Sequence, residues 1–272
     1  MKIEILFEES ANLYGDRFNI RFLEESIFCS GENVEVFHTA LNEKPHFVYD
    51  SEVNFVYIGS MPEHFQAFAV KGLLPYKEII KQRISEGVTF LLTGNAGEIF
   101  GEYIEDLDTH WKMPCLGFYP YHAERRMMNR YYSSYMGNFN LQYLNSSDIR
   151  HSSSMFNDFL TENNKYKSFI SDGKLKIVGF KAQFSHSYGD NTKQFLFKSE
   201  IGCGMNPGNI LEGIHENNLY STYLIGPLLI LNPLFTKYLM HSMGIQLPLL
   251  VHEKTAISAF ENRLKNFSRM KH

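Results

Sequence analysis

The chain has 272 residues, 44% of them hydrophobic and 21% charged, and a formal net charge of -4 from 26 Lys+Arg against 30 Asp+Glu. This composition suits a soluble globular fold and excludes disorder and collagen-like repeats. It provides no global positive field of the kind that gathers nucleic acid, so no nucleic-acid partner is expected.

A chain of this length buries roughly 70–75% of its unfolded surface, so stability requires neither disulfides nor a structural metal. Cys29, Cys115 and Cys203 lie far apart and form no C-x-x-C pair, which points to a reducing, cytoplasmic compartment and away from a zinc site. The 11 histidines include no H-E-x-x-H, so neither a metal nor a cofactor is expected. Glu4 interrupts what would have to be the apolar part of a leader. The longest apolar stretch, 223–231, contains Gly226 and Pro227 and is far short of a membrane span.

Residues 2–7 alternate in character and predict a first strand, closed by a polar turn at 8–12. Over 19–29, Ile20, Phe22, Leu23 and Ile27 stand near helical spacing. Short β-rich runs follow at 34–37 and 54–58, the second closed by Gly59. Residues 62–85 carry two helical patterns separated by Gly72 and Pro75, and 88–93 is a continuous apolar run typical of a strand buried on both faces. That run breaks at Gly94, after which a helix is predicted through Gly97, Glu98, Ile99 and Phe100.

This alternation predicts an α/β fold: a mostly parallel sheet flanked by helices, with ligand sites at the carboxyl ends of its strands. The second half differs. Residues 127–144 are rich in tyrosine and phenylalanine, and 174–184 and 194–197 have strand character, which predicts an antiparallel β extension. Between them, 145–172 is Ser-rich and polar and is expected to be a surface insertion with a helical centre near 155–160, within a single domain spanning 1–272. Apolar residues after Asn232-Pro233 predict a closing helix, and 255–270 predicts a last amphipathic helix with a basic end.

Three stretches in order resemble one family. They are Asn12-Leu13-Tyr14-Gly15-Asp16 with Asn19-Ile20, the strand-turn-helix at 91–101, and Thr222-Tyr223-Leu224-Ile225-Gly226-Pro227-Leu228-Leu229 followed by Asn232-Pro233. They resemble the class I (triad-type) glutamine amidotransferases of the cobyric acid synthase branch, especially the glutaminase subunit of lipid II isoglutaminyl synthase. The resemblance covers about residues 1–245 and implies a flavodoxin-like glutamine amidotransferase fold. It also implies a Mur-ligase-like synthetase partner that amidates the peptidoglycan precursor lipid II.

The family's chemistry is glutamine hydrolysis by a cysteine at a sharp strand-to-helix turn, with a histidine as base and backbone N–H groups holding the oxyanion. Aligning the family's C-G-G-x-Q-x-x-G on Glu98 and Gly101 puts Gly94 at the nucleophile and Asn95 and Ala96 at the two glycines. Ile225 stands where the family's Y-L-H-G-P has histidine. Gly59-Ser60-Met61-Pro62 replaces a glycine run after the third strand, and Lys181-Ala182-Gln183-Phe184 replaces E-N-H-G. Loss of such a nucleophile costs about 10^6-fold, roughly 8 kcal/mol of transition-state stabilisation. No catalytic residue is therefore expected at Gly94 or Ile225, the vacated positions. Gly59, Ser60, Asn95, Ala96, Glu98 and Gln183 are the candidate pocket residues. The vacated pocket is expected to be larger and more apolar, open to an uncharged small-molecule ligand or to none.

Cys203, in the glycine-rich run 202–209, is the alternative nucleophile; Cys115 is expected to be a buried structural thiol. Ser185-His186-Ser187 with Asp190 is expected to be a polar hairpin turn rather than a triad. Arg125, Arg126 and Arg130, beside Tyr131 and Tyr132, are expected on a solvated strand face, with binding of an anionic or aromatic ligand as the other reading.

Overall fold

In a computed structural model of the protein, which describes residues 1–141, 166 and 169–270, the alternating first half forms a six-stranded sheet. β1 (Lys2–Leu6), β2 (Glu35–Thr39), β3 (Val53–Ile58) and β4 (Thr89–Thr93) are parallel. A strand from late in the chain, β15 (Leu219–Thr222), extends the parallel set, and β14 (Ile214–Glu216) is its antiparallel edge. The order β2-β1-β3-β4-β15-β14 is the flavodoxin-like one, whose ligand crevice lies where the strand order reverses.

Side chains alternate across this sheet and feed two cores. Ile3, Ile5, Phe55, Tyr57 and Leu91 enter one; Leu6, Val56, Ile58, Phe90 and Leu92 enter the other. The first core is closed by α1 (Arg17–Cys29), α4 (Leu228–Leu231), α5 (Pro233–Ser242) and α6 (Glu253–Met270). The second is closed by α2 (Gln66–Leu73) and α3 (Lys77–Ser85). All five residues of β4 are buried, as its unbroken apolar run predicts.

The antiparallel extension is a five-stranded sheet. β8 (Tyr131–Asn140) pairs along its whole length with β10 (Lys174–Gln183), flanked by β9 (Ile170–Ser171) on one side and β12 (Phe197–Ile201) and β13 (Leu211–Glu212) on the other. Phe139 and Phe197 meet Phe235 edge-on, which ties this sheet to α5. A third sheet, of four strands, joins β5 (Tyr103–Asp106), β6 (Trp111–Pro114), β7 (Tyr121–Arg125) and β11 (Ser185–Gly189).

Several elements differ from expectation. Residues Gly94–Phe100 wind as a 3-10 helix, every one of them buried, so neighbours on all sides shape the turn and no α-helical stripe is needed. The strand expected at 194–197 begins at Phe197. Ser185, His186 and Ser187 belong to β11, not to a turn, because β7 offers a full register of partners from Tyr121 to Arg125. The centre of the expected insertion, 155–160, lies outside the described residues. At its end, Tyr166 and Phe169 are buried in the first core, so that part is not a surface segment.

Candidate functional site

The carboxyl ends of β3, β4 and β15 bring three sequence-predicted positions to one point. Gly94 turns the chain at φ +60, a left-handed conformation that glycine adopts without a Cβ clash. A Cβ built on it would stand 2.0 Å from Ser60 Oγ, 2.9 Å from Ser60 Cβ and 3.4 Å from Ile225 Cγ2. Gly94, Ser60 and Ile225 are thus mutual neighbours, all buried. None carries a thiol or an imidazole.

Backbone donors after β3 are already engaged. Ser60 N–H donates to Asp16 Oδ2 at 3.1 Å and Met61 N–H to Asn95 Oδ1 at 2.9 Å; Asn95 Nδ2 returns a bond to the Met61 carbonyl at 2.7 Å. Pro62 has no N–H to offer. Gly59 is required for a different reason, since a Cβ there would meet the Ala11 carbonyl at 2.3 Å where the loop after β1 passes.

Asp16, the last residue of the Asn-Leu-Tyr-Gly-Asp stretch, is fully buried beneath this turn. Thr93 Oγ1 and the Tyr57 hydroxyl donate to its Oδ1 at 3.0 and 3.1 Å. Desolvation nevertheless outweighs those bonds and pushes its carboxyl up to about 6. Tyr57 also accepts from Asn19 Nδ2 at 3.0 Å, and Asn19 Oδ1 accepts the Leu229 N–H at 2.9 Å, so the network runs on into α1 and α4.

On the other side of the turn, Glu98 accepts from Gln66 Nε2 at 2.9 Å, from the Tyr223 hydroxyl at 3.1 Å and from the Ser185 hydroxyl. Arg125 donates to Gln66 Oε1. The space left among Gly94, Gly97, Glu98, Ser187, Thr222 and Tyr223 is a cavity of about 10 Å³. That is room for one water at most. The larger pocket expected from the sequence does not open at this cavity, because Ser60 and Ile225 close on the Gly94 backbone; hydroxyls and the Glu98 carboxylate share the lining with Met205 and Ile214. Of the candidate pocket residues, Glu98 lines this cavity while Gly59, Ser60, Asn95, Ala96 and Gln183 do not. Gln183 instead donates to the Ser185 carbonyl at 2.6 Å and meets His186 Nδ1 at 3.1 Å.

The thiols stand elsewhere. Cys115 lies just past β6, and burial pushes it up to about 12, which suits a structural role. Cys203 Sγ donates to the Tyr131 hydroxyl at 3.3 Å. Its loop is held by a fully buried ion pair: Lys181 Nζ lies 2.5 Å from Glu212 and donates to the carbonyls of Cys203 and Gly204 at 3.0 and 2.7 Å. Glu212 in turn accepts from Thr222 Oγ1 and the Tyr223 N–H.

The arginines divide. Arg125 is buried, contrary to a solvated face, because β7 turns it inward to Gln66. Arg126 is exposed. Arg130 lies 5.4, 5.1 and 4.9 Å from the ring centres of Tyr14, Tyr132 and Phe184. Asp190 accepts from Thr192 N–H and Oγ1 within its own turn. Among the described residues no three His, Cys, Asp or Glu side chains gather as a metal site, and no helix is long and apolar enough to cross a membrane.

Sequence reasoning missed the buried polar network of Asp16, Tyr57 and Thr93, the Arg125–Gln66–Glu98 chain and the Lys181–Glu212 pair. Asp16 carried a signal, standing inside a quoted motif. Tyr57 and Thr93 carried only a faint one, as hydroxyls near the carboxyl ends of strands rich in apolar residues.

Strand order, the turn at Gly94 and the converging strand ends define the class I glutamine amidotransferase fold. The structure of PurLQS from Thermotoga maritima superposes with a TM-score of 0.51 at 10% identity, covering 97% of this chain and 98% of that one. A second glutamine amidotransferase structure from Thermotoga maritima covers 98% of this chain and 97% of its own at 10% identity, with a TM-score of 0.46. In sequence, the chain is 27% identical over 233 residues to the lipid II isoglutaminyl synthase (glutamine-hydrolyzing) subunit GatD of Staphylococcus aureus (strain N315), across 85% of this chain and 79% of that protein. No family model matches. The chain thus has the class I glutamine amidotransferase fold and is similar in sequence to that glutaminase subunit.

Proposed function

We propose that this protein is a non-hydrolytic binding or scaffold subunit of glutamine amidotransferase type, which has lost the nucleophile and base. Its partner would be a Mur-ligase-like synthetase in a cytoplasmic complex that amidates a cell-wall precursor. The packing at the turn carries this reading. Where the family's thiol would sit, the chain has Gly94 with Ser60 pressed against it, and Ile225 replaces the base. The N–H groups of Ser60 and Met61 are spent on Asp16 and Asn95, so no oxyanion is served from that loop. Relatedness to a subunit of a lipid II isoglutaminyl synthase supports the synthetase partner. A small-molecule ligand beside Gly94 would require Ser60 and Ile225 to move.

The relocated-nucleophile alternative rests on Cys203, whose sulfur is bonded to a tyrosine hydroxyl and not to a base. Ammonia release from glutamine by the purified chain, with Cys203→Ser in parallel, tests both readings. No release above buffer is expected from either protein. Turnover that disappears in Cys203→Ser would overturn the proposal in favour of that thiol, and turnover that persists would overturn it for both.

A further inference from the structure

The outward face of α1 breaks the usual rules of helix charge. Its buried side is Asn19, Ile20, Phe22, Leu23, Ser26 and Ile27. Its outward side carries Arg17 and Arg21 in the N-terminal half and Glu24 and Glu25 in the C-terminal half, with no acid in the first turn and no base in the last. Both choices oppose the helix dipole, and Arg21 to Glu25 is the weaker order for an i,i+4 pair. Two phenylalanines bracket these charges, Phe18 at 57% exposure and Phe28 at 71%.

Phe18, Arg21, Glu25 and Phe28 follow the 3-4-3 spacing of a helix-packing seam. The pattern is its own complement when reversed about Leu23: Phe18 falls opposite Phe28, and Arg21 opposite Glu25. An antiparallel copy therefore sets the cationic half of one helix on the acidic half of the other and covers both phenylalanines. Grooves flank the seam on each side. One, of about 990 Å³, runs between α1 and β2 past Val34 and Val36; the other, of about 420 Å³, runs between α1 and α6 past Ile230 and Ala256. Each can accept a ridge of a neighbouring helix.

We propose that α1 is a twofold interface between two copies of this chain, with Phe18 of each on Phe28 of the other and Arg21 exchanged with Glu25. Such a closed, isologous contact is the commonest form of homo-oligomer. It is independent of the proposed function.

Sedimentation velocity of the purified 272-residue chain from 1 to 100 µM tests it. A dimer is expected at the upper concentrations. Arg21→Glu should yield monomer, while the charge-swapped Arg21→Glu/Glu25→Arg protein should recover the dimer, a rescue that a merely destabilised helix would not show. Phe28→Asp should also yield monomer, with circular dichroism confirming the fold. A parent protein that stays monomeric at 100 µM, or a dimer unaffected by Arg21→Glu and Phe28→Asp, would overturn the proposal.

Discussion

At Gly94 the absent Cβ and the Ser60 side chain are two halves of one packing arrangement. Gly94→Cys by itself should be destabilising by about 1–3 kcal/mol through overpacking, since the new Cβ would stand 2.0 Å from Ser60 Oγ. Adding Ser60→Gly should recover most of that loss in urea unfolding. With Ile225→His as well, the thiol should titrate below its ordinary range of about 8.5 and react fast with iodoacetamide. A thiol of ordinary reactivity in the triple variant would count against Gly94 as the equivalent of the nucleophile. Asp16 makes a separate prediction. Its folded carboxyl is raised to about 6 from the ordinary 3.8, so the folded state holds that proton more tightly than the unfolded chain does. Its contribution to stability is therefore full below 3.8 and falls as pH rises through 6, by about 3 kcal/mol in all. Relative to Asp16→Asn, the parent should lose about that much between pH 3.5 and 7 in denaturant midpoints taken across the range. Parallel pH profiles for the two proteins would show that Asp16 is not the group responsible.

Lys181 and Glu212 join elements that are remote in sequence: β10, the loop 202–209, β13 and the end of β15. Both side chains are fully buried, so neither charge has solvent to fall back on. Lys181→Met should cost about 3–5 kcal/mol, because it leaves the Glu212 charge uncompensated. The pair Lys181→Met/Glu212→Gln should recover much of that, since the amide oxygen still accepts from Thr222 and the Tyr223 N–H. Additive losses in the double variant would mean that the two groups do not act as a pair. The chain supplies Glu212 and two carbonyls to receive the Lys181 ammonium, so the buried cation is not left without partners.

For the whole molecule, the proposed role has a consequence for its partner. A Mur-ligase-like synthetase that co-purifies with this chain should amidate its substrate with ammonium salts and not with glutamine. Glutamine-supported amidation by the pair would overturn the scaffold role. Much of the architecture was legible in the sequence. The alternation of short apolar runs with helical patterns placed β1, β3, β4, α1 and α3 close to their observed bounds, because local periodicity reports which face of an element is buried. That Gly94 and Ile225 carry neither thiol nor imidazole was also plain from sequence. Whether space stands open beside them was not. Three strands separated along the chain meet at Ser60, Gly94 and Ile225, and only their packing distances show that the space is filled and the loop donors are spent. Burial of Asp16, Arg125, Lys181 and Glu212 was likewise decided by tertiary structure, since a charged residue discloses in sequence its chemistry but not the partners that remove it from water.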